Sequence, residues 1–163
     1  EPAQLRESLR GQLKELHNIA LAAGATLRHV KPHGALYNDA HRDVVLAATV
    51  VDSIRALDPD LAIVCGATSQ MAAAARAAGL GVIREAFADR RYEADGALVS
   101  RSVQGSLLTI DEAAEQAGFL ASDGAVIARD GTRLPIAFDT ICIHADLEGA
   151  AARLHAIRKR LQR

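Results

Sequence analysis

Short apolar runs that end at glycine or proline alternate with amphipathic stretches of helical spacing along almost the whole chain. This alternation restricts the fold to strands and helices taken in turn. Leu5, Leu9, Leu13, Leu16 and Ala20 recur at helical spacing and Gly24 closes the run, which predicts a first helix. Residues 26–30 read as a short buried strand, followed by the loop Lys31-Pro32-His33-Gly34, where proline and glycine together interrupt regular structure. Asn38 or Asp39 is expected to cap a second helix with Val44, Leu46, Ala47, Val50, Val51 and Ile54 on its apolar face, ended by Asp58-Pro59. Residues 61–65 give a second strand, ending at Gly66. Thr68 or Ser69 caps a third helix through Met71, Ala74, Ala75 and Ala78, stopped by Gly79, and residues 81–87 contain a third strand.

Residues 88–106 are polar and irregular. Thr109-Ile110-Asp111-Glu112 is a capping box and opens a fourth helix. Residues 125–128 and 133–136 flank Asp130-Gly131, a two-residue hairpin signal. Residues 138–143 form a last strand. The final helix carries Leu147, Ala150, Leu154, Ile157 and Leu161 on one face, with Arg158, Lys159, Arg160 and Arg163 toward its C-terminus, where cations suit the negative end of the helix dipole. The expected architecture is α/β, a parallel sheet covered by helices in one domain over residues 1–163.

With 163 residues, half of them hydrophobic, the chain can bury a sizeable single core. Aromatic residues are 3% of the chain, there is no tryptophan and the net charge is −1, so neither the stacking platforms nor the basic surface of a nucleic-acid binder is present. Cys65 and Cys142 lie in apolar runs with no metal-ligand spacing, as expected of reduced core thiols in a cytoplasmic protein. No run is long enough to span a bilayer. The chain starts at Glu1 rather than methionine, as expected of a fragment or a processed chain.

Ligands of parallel α/β folds bind at the carboxyl ends of the strands. The first strand is followed by Lys31, His33 and Tyr37, the third carries and is followed by Glu85, Asp89, Arg90, Arg91 and Tyr92, and the last is followed by His144 and Asp146. Three strands are thus expected to deliver ionisable groups to one edge. Plainer readings stand beside the functional ones. His29 sits within a strand as a structural histidine. Asp89 and Arg90 pair locally. Glu85 forms a salt bridge with Arg90 or Arg101. Asp146 is an N-cap of the last helix, and Arg91 and Tyr92 are peripheral.

The run HVKPHGALYN at residues 29–38 resembles the hallmark motif of the LamB/YcsF family, the A subunits of 5-oxoprolinase. EAFADRRY at 85–92 is similar to that family's E-x-F-A-D-R-x-Y, GALVSR at 96–101 to its G-x-L-x-x-R, and ICIHAD at 141–146 to its I-C-V-H-G-D. Members usually carry an earlier D-L-N-x-D-x-G-E start and a G-x-H-P segment, so the chain corresponds to the C-terminal two-thirds of the pattern. Ala145 stands where the family has glycine, which matters if that position needs positive φ. The resemblance implies a seven-stranded, deacetylase-like β/α barrel, incomplete here, and a cytoplasmic enzyme that uses ATP and water to open the lactam of 5-oxo-L-proline to L-glutamate. It also implies partner subunits B and C. An exposed sheet edge left by the missing strands would be covered by a second copy or by the N-terminal segment. The related deacetylases leave a divalent metal open.

Opening a lactam needs an activated carbonyl, a nucleophilic water and a proton for the leaving nitrogen. The implied catalytic residues are His33, Asp89, His144 and Asp146. His33 and His144 move protons, while Glu85, Asp89 or Asp146 activates water or orients a histidine. Lys31 binds phosphate or the substrate carboxylate, Arg90 or Arg101 grips a carboxylate, and Tyr37 and Glu85 complete the substrate-binding set. No Walker-type loop is present. Two alternatives are a metal-dependent amide or ester hydrolase and a non-catalytic chain that completes another polypeptide.

Overall fold

The structure, a computed structural model, describes residues 2–162, so Glu1 and the expected cation Arg163 lie outside the described residues. It is an α/β fold with a parallel sheet. The elements run α1 (Pro2–Ala22), β1 (His29–Val30), α2 (Gly34–Arg42), α3 (Val44–Leu57), β2 (Ala62–Cys65), α4 (Gln70–Ala77), β3 (Gly81–Phe87), α5 (Ile110–Asp123), β4 (Ala125–Ile127), β5 (Arg133–Pro135), β6 (Thr140–Cys142) and α6 (Ala150–Leu161). The chain divides into two compact units, residues 1–84 and 85–163, and the boundary falls inside β3.

In the first unit β1, β2 and the start of β3 pair in parallel, with His29 opposite Ala62, and with Ala62 and Cys65 opposite Gly81 and Arg84. Consecutive Ile63, Val64 and Cys65 are all buried, as a strand covered on both faces requires. Ala47, Val50, Val51 and Ile54 of α3 and Met71, Ala72 and Ala75 of α4 complete this core. Each fully buried large side chain among them contributes roughly 1.5–3 kcal/mol. The expected long second helix is two helices. Gly34 turns sharply at φ 64° and already starts α2, so Asn38 and Asp39 lie inside that helix, and the Asn38 side chain donates to the Gly34 carbonyl. The cap of α3 is Asp43, whose carboxylate accepts from the Val45 and Leu46 N–H groups at 2.8 and 3.0 Å. Ser69 caps α4 as expected. Strand β1 is shorter than its apolar run, and His29 on it is exposed rather than a buried structural histidine. Of the expected α1 face, Leu13 is buried whereas Leu16 is half exposed.

In the second unit Glu85, Ala86 and Phe87 pair in parallel with Thr140, Ile141 and Cys142. The capping box at Thr109 and Glu112 is formed, and Gly124 ends α5 in the left-handed region at φ 59°. Helices α5 and α6 pack together, and the core gathers Ala88, Leu108, Ala113, Ala117 and Ile157 with Ile141 and Ile143 at its margin. The hairpin forms where expected but without the expected two-residue turn: Ala128 N–H bonds to Thr132 O, so Arg129, Asp130 and Gly131 make a three-residue loop with Gly131 at φ 90°. In α6 the buried positions are Arg153 and Ile157, while Leu154 and Leu161 are exposed, so only part of the expected apolar stripe is covered.

Candidate active site

Each unit presents its own cluster of polar side chains beyond the strand ends. In the first, Lys31 follows β1 and holds its ammonium 5.9 Å from the centre of the Tyr37 ring. Tyr37 and His41 are one turn apart on α2 and lie over Gly66, the residue after β2. A Cβ at Gly66 would meet His41 Cε1 at 3.4 Å and the Tyr37 hydroxyl at 3.8 Å. Two side chains of the same unit therefore approach Gly66 closely. His33 is the N-cap residue of α2, exposed, and its ring makes no cap hydrogen bond.

The second cluster is built around Asp89, which is fully buried just beyond β3. One carboxylate oxygen accepts the backbone N–H of His144 at 2.6 Å, and the other lies 3.0 Å from His144 Nδ1. Burial pushes this carboxyl up, but the ring and backbone hydrogen bonds of His144 and its charge outweigh that and hold Asp89 below the ordinary carboxylate value. A carboxylate can only accept, so Nδ1 carries the proton and Nε2 is the nitrogen left for chemistry. The His144 ring also stacks on Phe87, with centroids 5.7 Å apart at 17°. Its position is thus fixed on an edge and on a face, while its side chain keeps 22% exposure.

Tyr92, expected to be peripheral, is buried, and its hydroxyl accepts the Phe87 N–H at 2.7 Å. Burial pushes this phenol up. The Phe87 N–H pulls it down, but nearby Glu85, Cys142 and Asp89 add to the rise, so Tyr92 stays neutral. Glu85, also buried, stands two residues before Phe87 on the same strand. Asp89 and Arg90 do not pair with each other. Arg90 is buried and donates to the Val99 carbonyl at 2.6 Å. Burial and then the like charge of Arg101 lower its pKa, without removing the charge of a guanidinium. Arg101 binds Asp146 at 2.9 Å on the surface, and that bond holds the Asp146 carboxyl below its ordinary value. Asp146 is therefore an ion-pair partner and not the helix cap, which is Gly149. Ala145 adopts an ordinary negative φ, since every positive φ among the described residues belongs to glycine. Arg91 pairs with Glu112 of the capping box at 3.0 Å.

The structure thus joins Asp89 to His144 and Arg101 to Asp146 in one unit, and Lys31 to Tyr37 in the other. Residue-by-residue reading missed His41, Phe87 and Gln116 and undervalued Tyr92. Phe87 and Tyr92 stand at fixed places in the EAFADRRY run, and His41 follows Tyr37 at helical spacing. Gln116 carries no local signal. Among the described residues no three His, Cys, Asp or Glu side chains come together as a metal-holding group.

The LamB/YcsF family profile matches residues 1–163. The chain belongs to the LamB/YcsF family. This LamB/YcsF chain is 48% identical over 163 residues to a protein of Chloroflexus aggregans and 44% identical over 161 residues to one of Methylococcus capsulatus, each named as the A subunit of 5-oxoprolinase. These alignments cover 99% and 98% of the chain but 64% and 62% of those proteins. The crystal structure of the lactam utilization protein from Thermus thermophilus superposes with a TM-score of 0.89 at 37% identity, covering 99% of this LamB/YcsF chain and 65% of that one. The chain therefore spans less than two thirds of the length of the relatives it matches.

Proposed function

We propose that this chain acts in an ATP-dependent 5-oxoprolinase that hydrolyses the lactam of 5-oxo-L-proline to L-glutamate. The observation that carries the reading is the Asp89–His144 pair beyond β3 and β6, which engages Nδ1 of a partly exposed imidazole and leaves Nε2 for proton transfer. The names of the relatives supply the substrate class. In this scheme ATP passes its terminal phosphoryl group to the lactam oxygen and leaves as ADP. Water then adds to the activated carbon and the C–N bond breaks as the nitrogen takes a proton, leaving an acyl phosphate that a second water hydrolyses to the carboxylate and free phosphate. His144 Nε2 takes the proton from water and returns it to the nitrogen, with Asp89 holding the ring. Buried Arg90 and the Arg101–Asp146 pair supply charge for the carboxylate of 5-oxoproline, beside Glu85. In the first unit Lys31, His33 and Tyr37 offer an ammonium, an imidazole and a phenol to charged or protonatable groups of the reactants.

The nucleotide is handled together with subunits B and C in a cytoplasmic assembly, and the parallel sheet forms part of a seven-stranded, deacetylase-like barrel. Exposed Leu16, Ile19, Leu21, Val44 and Val45 support association with a further chain. No helix among the described residues is long and apolar enough to cross a membrane. The deciding experiment measures glutamate formed from 5-oxoproline by this chain with subunits B and C, with and without ATP, for wild type, His144→Ala and His33→Ala. ATP-dependent glutamate that disappears with His144→Ala supports the reading. Unchanged turnover in both variants refutes the assigned roles.

A further inference from the structure

Strand β3 ends at Phe87, the Ala88 N–H makes a last bond to Cys142 O, and the carbonyls of residues 87–90 find partners away from that ladder. The side chain of Gln116, from the middle of α5, meets three of them. Its amide nitrogen lies 2.8 Å from Phe87 O, 2.8 Å from Arg90 O and 3.3 Å from Ala88 O. The fourth carbonyl, of Asp89 itself, accepts from the Leu108 N–H at 3.1 Å. An amide has two N–H donors, so the two short bonds take one each and the third is shared. Those two bonds straddle Ala88 and Asp89, both of which are fully buried. Gln116 therefore bonds on both sides of the residue that orients His144.

We infer that Gln116 is a positioning residue, whose amide fixes the backbone of residues 87–90 so that the Asp89 carboxylate meets both the ring and the backbone N–H of His144. The inference rests on the proposed role of His144, but its structural half can be tested without any substrate. The path runs from helix to loop to carboxylate to imidazole. The Asp89 carboxylate is on a short side chain, so a small shift of its backbone lengthens two bonds at once. The capping box of α5 supports the same path, because it sets the helix start and hence where Gln116 stands above the loop.

The test compares Gln116→Met, which keeps the length and removes the donors, with Gln116→Lys, which keeps donors on a stem of similar reach. In each folded protein two quantities are read by NMR: the acid titration of the Asp89 carboxyl and the exchange protection of the His144 amide. Turnover is measured in the assembled enzyme. In Gln116→Met the Asp89 titration is expected to move upward and the His144 amide to lose protection. The kcat value falls by about 10- to 100-fold, with KM changed little. Gln116→Lys restores most of all three. Wild-type titration and protection in Gln116→Met overturn the inference, as does a Gln116→Lys protein that loses as much as Gln116→Met. If Gln116→Met does not fold, the lysine variant decides alone. A folded lysine variant with the native Asp89 titration supports the donor role, and a lysine variant that also fails to fold makes Gln116 a determinant of the fold and overturns positioning. If the NMR readouts respond while turnover does not, the path stands and the catalytic role of His144 falls.

Discussion

Replacing Asp89 with asparagine separates the orientation of His144 from its presence. Aspartate offers two acceptors to His144, one to its backbone N–H at 2.6 Å and one to Nδ1 at 3.0 Å. Asparagine has one acceptor and one donor group. The backbone N–H can only donate, so the amide oxygen must face it and the NH2 must face Nδ1. Nδ1 then has to accept, which moves the ring proton to Nε2 and removes the basic lone pair from that nitrogen. The ring stays stacked on Phe87. Two bonds to a charged acceptor contribute about 1.5–3 kcal/mol each, and neutral bonds about 0.5–1.5 kcal/mol each, so exchanging both costs about 2–3 kcal/mol of stability. The cost in turnover is larger, on the order of 10⁴-fold, the size seen when a histidine is forced into the wrong tautomer by losing its orienting carboxylate. Urea unfolding reads the first effect. Nitrogen-15 NMR of the His144 ring reads the tautomer, and ATP-dependent glutamate formation with subunits B and C reads the second. Turnover within about threefold of wild type, in a protein whose ring proton has moved to Nε2, would refute the proton-transfer role.

Other consequences are checked more simply. The folded carboxyl of Asp89 lies below its unfolded value, so its stabilisation is present above the ordinary carboxylate range and is lost as pH falls through the depressed folded value. Urea midpoints followed into acid should drop more steeply for wild type than for Asp89→Asn. Asp43→Ala removes the acceptor for two N–H groups at the start of α3 and should cost about 1 kcal/mol by urea unfolding. Gly124→Ala forces a side chain into the left-handed cap of α5 and should cost about 1–2 kcal/mol by the same measurement. Arg101→Ala breaks an exposed pair, so the urea midpoint should hardly move, whereas KM for 5-oxoproline should rise if the guanidinium binds its carboxylate.

Elements whose signals lie within a few residues of one another were legible in the sequence. The capping box at Thr109, the Ser69 cap and the bounds of β3 formed as read, and the hairpin formed at its expected place although with one more loop residue, because each depends on a side chain reaching a neighbouring backbone group or on a turn needing positive φ. The EAFADRRY and ICIHAD runs likewise pointed to Asp89 and His144 as separate candidates. Local reading failed where two signals competed. Asn38 and Asp39 are good caps, but the turn at Gly34 had already started a helix, and Asp43 stands where the next one begins. Asp146 suits an N-cap, yet Arg101, 45 residues away in sequence, claims its carboxylate. The partnership of Asp89 with His144 came from tertiary structure. They are 55 residues apart and meet because Glu85–Phe87 pairs with Thr140–Cys142 in parallel, in a register that carries both strand ends to the same level. Register depends on the packing of the whole sheet, and so does the position of Gln116 over the loop. Both are properties of long-range burial that no short stretch of sequence contains.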